Sequence, residues 1–295
     1  MTYSIVARDP ITGEIGVAVQ SHFFSVGPVV PWAMAGVGAV ATQATAEVSF
    51  GPRGLALLRG GLDAAGGLER LLSADPSARE RQVAIVDAAG NVAAYTGVGC
   101  IPEAGHLTGT AVSCQGNIMA SRDVWPAMLD AFESSGGTLV ERLLVALDAA
   151  ELAGGDLRGR QSAAILVVPA EGEEWQTSIS LRVEDHPEPL GELRRLVELH
   201  GAYELAFRAD ALIHRGHPEQ AALLLRQARE RAPGNHELLF WSGLAAADRG
   251  ELDEALAAVR EAIAMQGGWG IVLRRLTPEV APSAAVVLEM LTRET

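Results

Sequence analysis

MTYSIVARDPITGEIGVAVQSHF, residues 1–23, places two apolar runs on either side of a turn. The runs cover residues 3–8 and 15–20, and the intervening Asp9-Pro10 step and Gly13 suit a tight reversal of the chain. The stretch therefore predicts an antiparallel hairpin. Because its first strand begins directly after Thr2, we expect that threonine to be fixed by a sheet rather than frayed.

The composition is that of a globular protein with an acidic surface. The chain has 295 residues, of which 48% are hydrophobic and 20% are charged, with a formal net charge of −14. This charge argues against nucleic acid and anionic membranes as partners. All 23 basic residues are arginine, so the sequence contains no lysine.

The sequence gives no sign of export or membrane insertion. The first residues lack a basic segment followed by an apolar core, and prolines and glycines interrupt the longest apolar stretch. Cys100 and Cys114 alone do not make a disulfide framework. We expect a reduced, soluble, cytoplasmic protein.

The first two thirds of the chain predict strands, two helices, strands, two helices and strands. This order favours helices packed on both sides of mostly antiparallel sheets, an α+β fold. Beyond the first hairpin, the predicted strands cover residues 37–43, 82–87, 92–96, 107–114, 161–168 and 178–183, and the predicted helices cover 52–62, 66–72 and two segments of 122–152 separated at 134–137.

The remainder of the chain carries an internal repeat with a period of 34 residues. Gly216 aligns with Gly250 and Ala221 with Ala255, so small residues recur where two antiparallel helices would approach closely. The pattern resembles tetratricopeptide (TPR) repeats. Since about three repeats are usually needed for independent stability, we expect contact with neighbouring elements or a homo-oligomer. The predicted domains are residues 1–185, a junction helix at 186–201 and a TPR-like region at 202–295.

Thr2 is a candidate nucleophile. Removal of Met1 would leave Thr2 with its side-chain hydroxyl and a free α-amine on adjacent carbons. A free α-amine has a pKa of about 7.7–8.0, so it can accept a proton near neutral pH, and pairing of an N-terminal amine with threonine is a known way to activate the hydroxyl. No lysine is present to act as the base instead.

Several longer stretches resemble one family. The opening 44 residues, CQGN (114–117), GGDLRGRQSAAILVV (154–168) and RVEDHP (182–187) are similar to the DUF1028 family. That family is placed in the N-terminal nucleophile (Ntn) hydrolase superfamily, with proteasome β-subunits and several amidases. The resemblance covers about residues 1–200 and implies a four-layer αββα sandwich and amide hydrolysis.

The resemblance also implies that three polar loops meet at Thr2. Thr2 Oγ1 would attack a carbonyl and its α-amine would carry the proton, while Asp156 would stabilise the protonated amine. Donors near Gln43 or Asn117 would bind the oxyanion. The candidate catalytic residues are Thr2, Asp156 and Asn117, and the candidate substrate-binding residues are Ser21, His22, Gln43, Gln115, Arg158, Arg160 and Ser162.

One departure from the superfamily bears on the substrate. Proteasome-like chains return through Ala-Ala-Asp-Ser, whereas this chain has AVQS, with Gln20 in place of the aspartate. In proteasome-like chains that aspartate helps to organise a lysine beside the nucleophile. Because this chain lacks both the aspartate and the lysine, the resemblance does not extend to proteasome-type peptidase chemistry. We expect a small amide or peptide-like substrate and no cofactor.

Simpler explanations exist for the same residues. Asp156 suits a turn, Arg158 and Arg160 suit a surface with acidic partners, and Gln115 and Asn117 could satisfy loop backbone groups. Ser21 and His22 could face solvent. Asp185 and His186 could form an acid–base pair, but the prolines at 187 and 189 favour a rigid junction. Cys100, His106 and Cys114 could suggest a metal site, but their spacing matches no standard zinc pattern and favours two buried thiols and a loop histidine. The alternative function is a catalytically silent Ntn-fold protein that binds a ligand or partner, for example cell-wall peptides, through its helical region.

Overall fold

The computed structural model of the chain describes residues 2–293. The chain divides into two compact units after Arg195. The first unit contains two β-sheets and their flanking helices, and the described part of the second is helical. Within residues 2–293, no helix is both long enough and apolar enough to cross a lipid bilayer.

The first unit begins with four strands, followed in order by two helices, four strands, two helices and two strands. The strands are β1 (Thr2–Arg8), β2 (Ile15–Ser21), β3 (Pro31–Met34), β4 (Gly38–Ala44), β5 (Arg81–Asp87), β6 (Val92–Thr96), β7 (Gly105–Gly109), β8 (Val112–Asn117), β9 (Ser162–Val168) and β10 (Ile179–Val183), and the helices before the division are α1 (Phe50–Arg59), α2 (Ala64–Ser73), α3 (Val124–Ser134) and α4 (Leu139–Leu152).

These elements stack in four layers. The first sheet has six strands in the order β10-β9-β2-β1-β8-β7, and the second has four in the order β3-β4-β5-β6. All their pairings are antiparallel. Helices α3 and α4 pack on the first sheet, α1 and α2 pack on the second, and the two sheets face each other. The predicted αββα sandwich of the α+β class is confirmed.

The alternation of side chains along β1 places Thr2 between the sheets. Val6 lies in the core between the two sheets, together with Val17, Ala41 and Val86. Because successive side chains of a strand point to opposite faces, Thr2 and Ser4 lie on the same face as Val6. The side chain of Tyr3 faces the other way and reaches α4. Thr2 therefore stands at one end of the layer between the sheets.

One strand prediction was wrong, and one strand was not predicted. Residues 107–114 were expected to form one strand, but they belong to the β7–β8 hairpin, whose turn holds Ala111 at φ +57°. No glycine or asparagine marks this two-residue turn, so the usual hairpin signal was missing. Strand β3 was not predicted, since Pro31 at its start interrupts the apolar stretch. It is an edge strand that starts at Pro31, where a missing N–H is tolerated.

The second unit is a series of helices joined by short turns. Gly216 and Gly250 occupy two of these turns with φ of +79° and +84°, a region that favours glycine. Ala221 and Ala255 are fully buried in the helices that follow. The predicted junction region contributes to α5, which crosses the division of the chain. The helices are α5 (Pro189–His214), α6 (Pro218–Arg231), α7 (His236–Asp248), α8 (Leu252–Met265), α9 (Gly268–Arg275) and α10 (Ala284–Arg293).

Candidate active site

The hydroxyl of Thr2 is buried beside a second hydroxyl. Thr2 is only 5% exposed, and its Oγ1 lies 3.0 Å from Oγ of Ser21, a fully buried residue at the end of β2. The antiparallel β1–β2 hairpin brings these two residues together, since Tyr3 pairs with Gln20. The hydroxyl is thus held by a strand pair rather than directed into bulk water.

The backbone carbonyl of Thr2 is bound by two side-chain amides. Gln43 Nε2, from the end of β4, donates to Thr2 O at 3.2 Å, and Asn117 Nδ2, from the end of β8, donates to it at 3.4 Å. The same two nitrogens donate to Gln82 Oε1 at 2.7 Å and 2.9 Å. Both sheets therefore contribute to the binding of the first residue of β1.

The loop that carries Asp156 is tied to both strands that flank β1. The Asp156 carboxylate is fully buried and accepts hydrogen bonds from the backbone N–H of His22 at 3.0 Å and from the Arg158 guanidinium at 3.0 Å. Asp156 also forms an isolated β-bridge with Met119, just beyond β8. The three polar loops singled out in the sequence therefore converge at the Thr2 end of the sandwich.

Other predicted site residues lie nearby but bond mainly to the protein itself. Gln115 Nε2 donates to Ser4 Oγ at 2.7 Å, and Ser162 Oγ donates to the carbonyl of Phe23 at 2.5 Å. Arg160 donates through Nε to Glu151 at 2.5 Å and also contacts Glu188. These contacts shape the surroundings of Thr2.

Two residues with a strained backbone stand where β4 and β8 end. These are the two strands whose amide side chains bind the Thr2 carbonyl. Ala44, at the end of β4, has φ +66°, and Ile118, which follows β8, has φ +55°. Positive φ is unfavourable for residues with a Cβ and most of all for a β-branched one. Such strain concentrates at functional sites, where the surrounding structure enforces it.

Sequence reasoning missed Gln82 and a buried tyrosine network. Gln82 follows Arg81 at the polar start of the otherwise mostly apolar strand β5, and nothing in this local pattern separates it from a surface residue. The Tyr3 hydroxyl contacts Gln20 and donates to Glu151 at 2.5 Å. Burial raises the pKa of Tyr3 well above its usual range, and the Glu151 carboxylate raises it further. The hydroxyl therefore stays protonated and acts as a donor.

The remaining sequence candidates have other partners. His106 Nδ1 lies 2.8 Å from Thr96 Oγ1, and Cys100 Sγ lies 3.4 Å from the carbonyl of Arg81. Asp185 accepts from Gln161 Nε2 at 3.1 Å. Among the described residues, no group of three or more His, Cys, Asp or Glu side chains is arranged to hold a metal ion.

Comparison with known proteins places the chain in a family. The four-layer sandwich with a threonine at the start of its first strand is the architecture that the resemblance to Ntn hydrolases implies. Residues 2–193 match the sequence family described as "Family of unknown function (DUF1028)", and the chain belongs to this family.

Solved structures with similar folds include a member of the same family. The crystal structure of protein SPO2555 from Silicibacter pomeroyi is 35% identical, covers 67% of this chain and 88% of that chain, and gives a TM-score of 0.62. Anbu (ancestral beta-subunit) from Yersinia bercovieri is 15% identical, covers 66% of this chain and 92% of that chain, and gives a TM-score of 0.34. No curated protein matches the chain.

Proposed function

We propose that the protein is an Ntn-type amidohydrolase whose nucleophile is Thr2, freed by removal of Met1. One observation carries the proposal. Thr2 Oγ1 is buried at the end of the layer between the sheets, 3.0 Å from Ser21 Oγ, and the backbone carbonyl of Thr2 is bound by Gln43 from the opposite sheet. A nucleophile must be held in a defined geometry to react efficiently.

The reaction is acyl transfer in two stages. Thr2 Oγ1 attacks the substrate carbonyl and its proton passes to the α-amine, which then delivers it to the leaving nitrogen as the C–N bond breaks. Water next attacks the resulting ester and restores the threonine. In this scheme the α-amine takes the role of base, and the sequence has no lysine that would compete for it.

The neighbouring polar groups support the charges that develop. Asp156 would stabilise the protonated α-amine through its buried carboxylate. The side-chain NH₂ groups of Gln43 and Asn117 already bind Thr2 O and Gln82 Oε1. Backbone N–H groups where β4 and β8 end would therefore bind the oxyanion, while the two amides position the nucleophile.

The surroundings of the site favour a substrate with an apolar acyl group. Arg158 and Arg160 bond to Asp156 and Glu151, so a substrate carboxylate would have to displace a protein carboxylate. By contrast, four loops at the Thr2 end of the sandwich each expose large apolar side chains, which are available to contact an apolar acyl group. These are Phe23, Phe24, Val48, Val98, Ile101 and Leu157.

A labelling experiment tests the proposal. Protein shown by intact mass to lack Met1 is incubated with an electrophilic amide analogue and mapped by peptide mass spectrometry. We expect a single adduct on Thr2, retained by Thr2→Ser and lost in Thr2→Ala. An adduct on Cys100 instead, or full turnover by Thr2→Ala on any amide found to be cleaved, would contradict the mechanism. A panel of amides with apolar or acidic acyl groups then tests the substrate class, and faster cleavage of acidic members would refute the apolar preference.

The alternative function is ligand binding by a TPR-like second unit. It is favoured by a cavity of about 450 Å³ that α6, α7 and α8 line with charges of both signs. Such a lining suits a peptide that carries both an amine and carboxylates. Calorimetric titration of the Thr2→Ala protein with cell-wall peptides tests this, with an Arg226→Glu variant as the matched comparison. Equal heats for both proteins would exclude the cavity as the site. The lining residues are Arg226, Arg229, Glu230, Ala232, Pro233, Gly234, Leu239, Glu254 and Glu261.

A further inference from the structure

We propose that Gln82 is a positioning residue for the nucleophile, acting through the two amides that bind the Thr2 carbonyl. The inference rests on the proposed function of Thr2. Gln82 itself makes no contact with the Thr2 hydroxyl among the described hydrogen bonds, and it lies on β5 in the opposite sheet.

Gln82 sets the direction of both amides. Its Oε1 accepts from Gln43 Nε2 at 2.7 Å and from Asn117 Nδ2 at 2.9 Å. A carboxamide nitrogen carries two hydrogens, so each amide gives one to Gln82 and turns the other toward Thr2 O. Without the shared acceptor, each amide nitrogen would lose the shorter of its two hydrogen bonds and keep only the longer one to Thr2 O, at 3.2 Å for Gln43 and 3.4 Å for Asn117. Gln43 would still accept a hydrogen bond from Ser4 Oγ at 2.7 Å, so Asn117 depends most on Gln82.

The orientation of Gln82 is fixed in turn. Its Nε2 faces Thr96 Oγ1 at 2.9 Å and the carbonyl oxygens of Gly105 at 3.0 Å and Gly116 at 2.8 Å. Exchanging the oxygen and nitrogen of the amide would set its oxygen against two carbonyl oxygens, which is repulsive. Gln82 is fully buried, so water cannot easily replace these bonds.

The arrangement answers a problem specific to a terminal nucleophile. Once Met1 is removed, no preceding residue holds Thr2, and chain ends fray unless they are tied down. The chain of bonds from Gln82 through Gln43 and Asn117 holds the Thr2 peptide from the second sheet. The distance between the hydroxyl and an incoming carbonyl then stays within the narrow range that reaction requires.

The test follows two groups of Thr2 separately. The full chain is produced from a cleavable fusion, so that Thr2 becomes the first residue. Acylation of the Thr2 α-amine by an N-hydroxysuccinimide acetate is followed by mass spectrometry from pH 6 to pH 9. This range spans the pKa of a free α-amine, about 7.7–8.0. Labelling of the Thr2 hydroxyl by the electrophilic amide analogue is measured in parallel. For Gln82→Met, we expect α-amine acylation to become severalfold faster as the end frays, and hydroxyl labelling to slow about 10²-fold.

A pair of identical substitutions provides the control. Thr96→Val removes one of the three acceptors of Gln82 Nε2 together with the partner of His106 Nδ1, whereas Thr42→Val removes a hydroxyl that bonds only to the carbonyl of Glu47 among the described contacts. We expect Thr96→Val to shift both rates in the direction of Gln82→Met and Thr42→Val to leave them close to the unchanged protein. The pair also decides the question if Gln82→Met does not fold.

The two proposals fail in different ways. If no variant shows hydroxyl labelling, the proposed function is wrong, and the α-amine rates still decide the role of Gln82. If Gln82→Met folds with an unchanged rate and pH profile of α-amine acylation, or if Thr96→Val and Thr42→Val behave alike, Gln82 does not position Thr2.

Discussion

At the scale of single residues, consecutive side chains of β1 serve different sides of the same sheet. The Thr2 side chain points into the layer between the sheets, where its hydroxyl meets Ser21 Oγ, and the Tyr3 side chain points toward α4, where it meets Glu151. A shift of one residue in the register of β1 would exchange these environments. The chemistry proposed for Thr2 therefore depends on the β1–β2 and β1–β8 registers.

The hydroxyl of Ser21 is expected to orient the nucleophile. In Ser21→Ala, Thr2 Oγ1 loses its partner at 3.0 Å, and we predict that labelling of Thr2 by the amide analogue slows about 10²-fold, the scale of one proton-transfer or orienting group. Ser178→Ala is the control and should label normally, since Ser178 lies just before β10 and bonds to Glu14. Unchanged labelling of Ser21→Ala would remove Ser21 from the site.

The buried Tyr3 predicts a loss of stability in alkali. Its pKa is raised in the folded protein, chiefly by burial, so the unfolded chain releases this proton first as the pH rises. The contribution of the protonated Tyr3 hydroxyl to the free energy of unfolding is complete below about pH 10, the usual pKa of tyrosine, and is lost as the pH rises above it. Urea denaturation at a series of pH values should show the free energy of unfolding falling above that point.

Tyr3→Phe separates this effect from general alkaline unfolding. The variant should be about 1–3 kcal/mol less stable than the unchanged protein at neutral pH because Glu151 loses a buried donor, and its free energy of unfolding should fall less steeply in alkali. Tyr95→Phe, on the half-buried strand β6, is the matched comparison. Parallel alkaline curves for Tyr3→Phe and the unchanged protein would show that another group is responsible.

At the scale of elements, the sequence was most informative where turn chemistry was explicit. The β1–β2 and β5–β6 hairpins carry Gly13 and Gly90 with positive φ, and both were predicted close to their observed bounds. The β7–β8 hairpin lacks such a residue and was missed, because Ala111 adopts the left-handed conformation only under the constraint of the pairing around it.

That constraint makes Ala111 a site for stabilisation. Glycine adopts φ +57° without the clash of a Cβ, so Ala111→Gly should raise the free energy of unfolding by about 0.5–1 kcal/mol, after allowing for the greater entropy of glycine in the unfolded chain. Ala93→Gly, in the interior of β6, should instead lower it by about 0.5–1 kcal/mol. Urea denaturation at neutral pH measures both, and a destabilised Ala111→Gly protein would mean that the methyl group matters more than the backbone.

At the scale of the whole molecule, the candidate site exists only because two sheets face each other. Thr2, Asn117 and Asp156 are accessible to sequence reasoning, since each stands in a motif that carries the family resemblance, Thr2 and Asn117 at strand ends and Asp156 in the loop between α4 and β9. Gln82 is not, because its role depends on β5 lying opposite β1 and on the angle at which the sheets pack. Local pattern identifies the ends of strands, whereas the partners across a sandwich follow from packing that one sequence does not reveal.

The absence of lysine gives the whole molecule a single reactive amine once Met1 is removed, and this allows a last prediction. Acylation with an N-hydroxysuccinimide acetate should add one acetyl group, map it to Thr2 and abolish labelling of the Thr2 hydroxyl, because the acylated nitrogen can no longer accept a proton. The loss of hydroxyl labelling should follow the acetylated fraction in proportion. Protein that retains Met1 is the control: it should also take one acetyl group, but it should show no hydroxyl labelling before or after. Hydroxyl labelling that survives complete acetylation would mean that the α-amine is not the base, whatever the reactivity of Thr2.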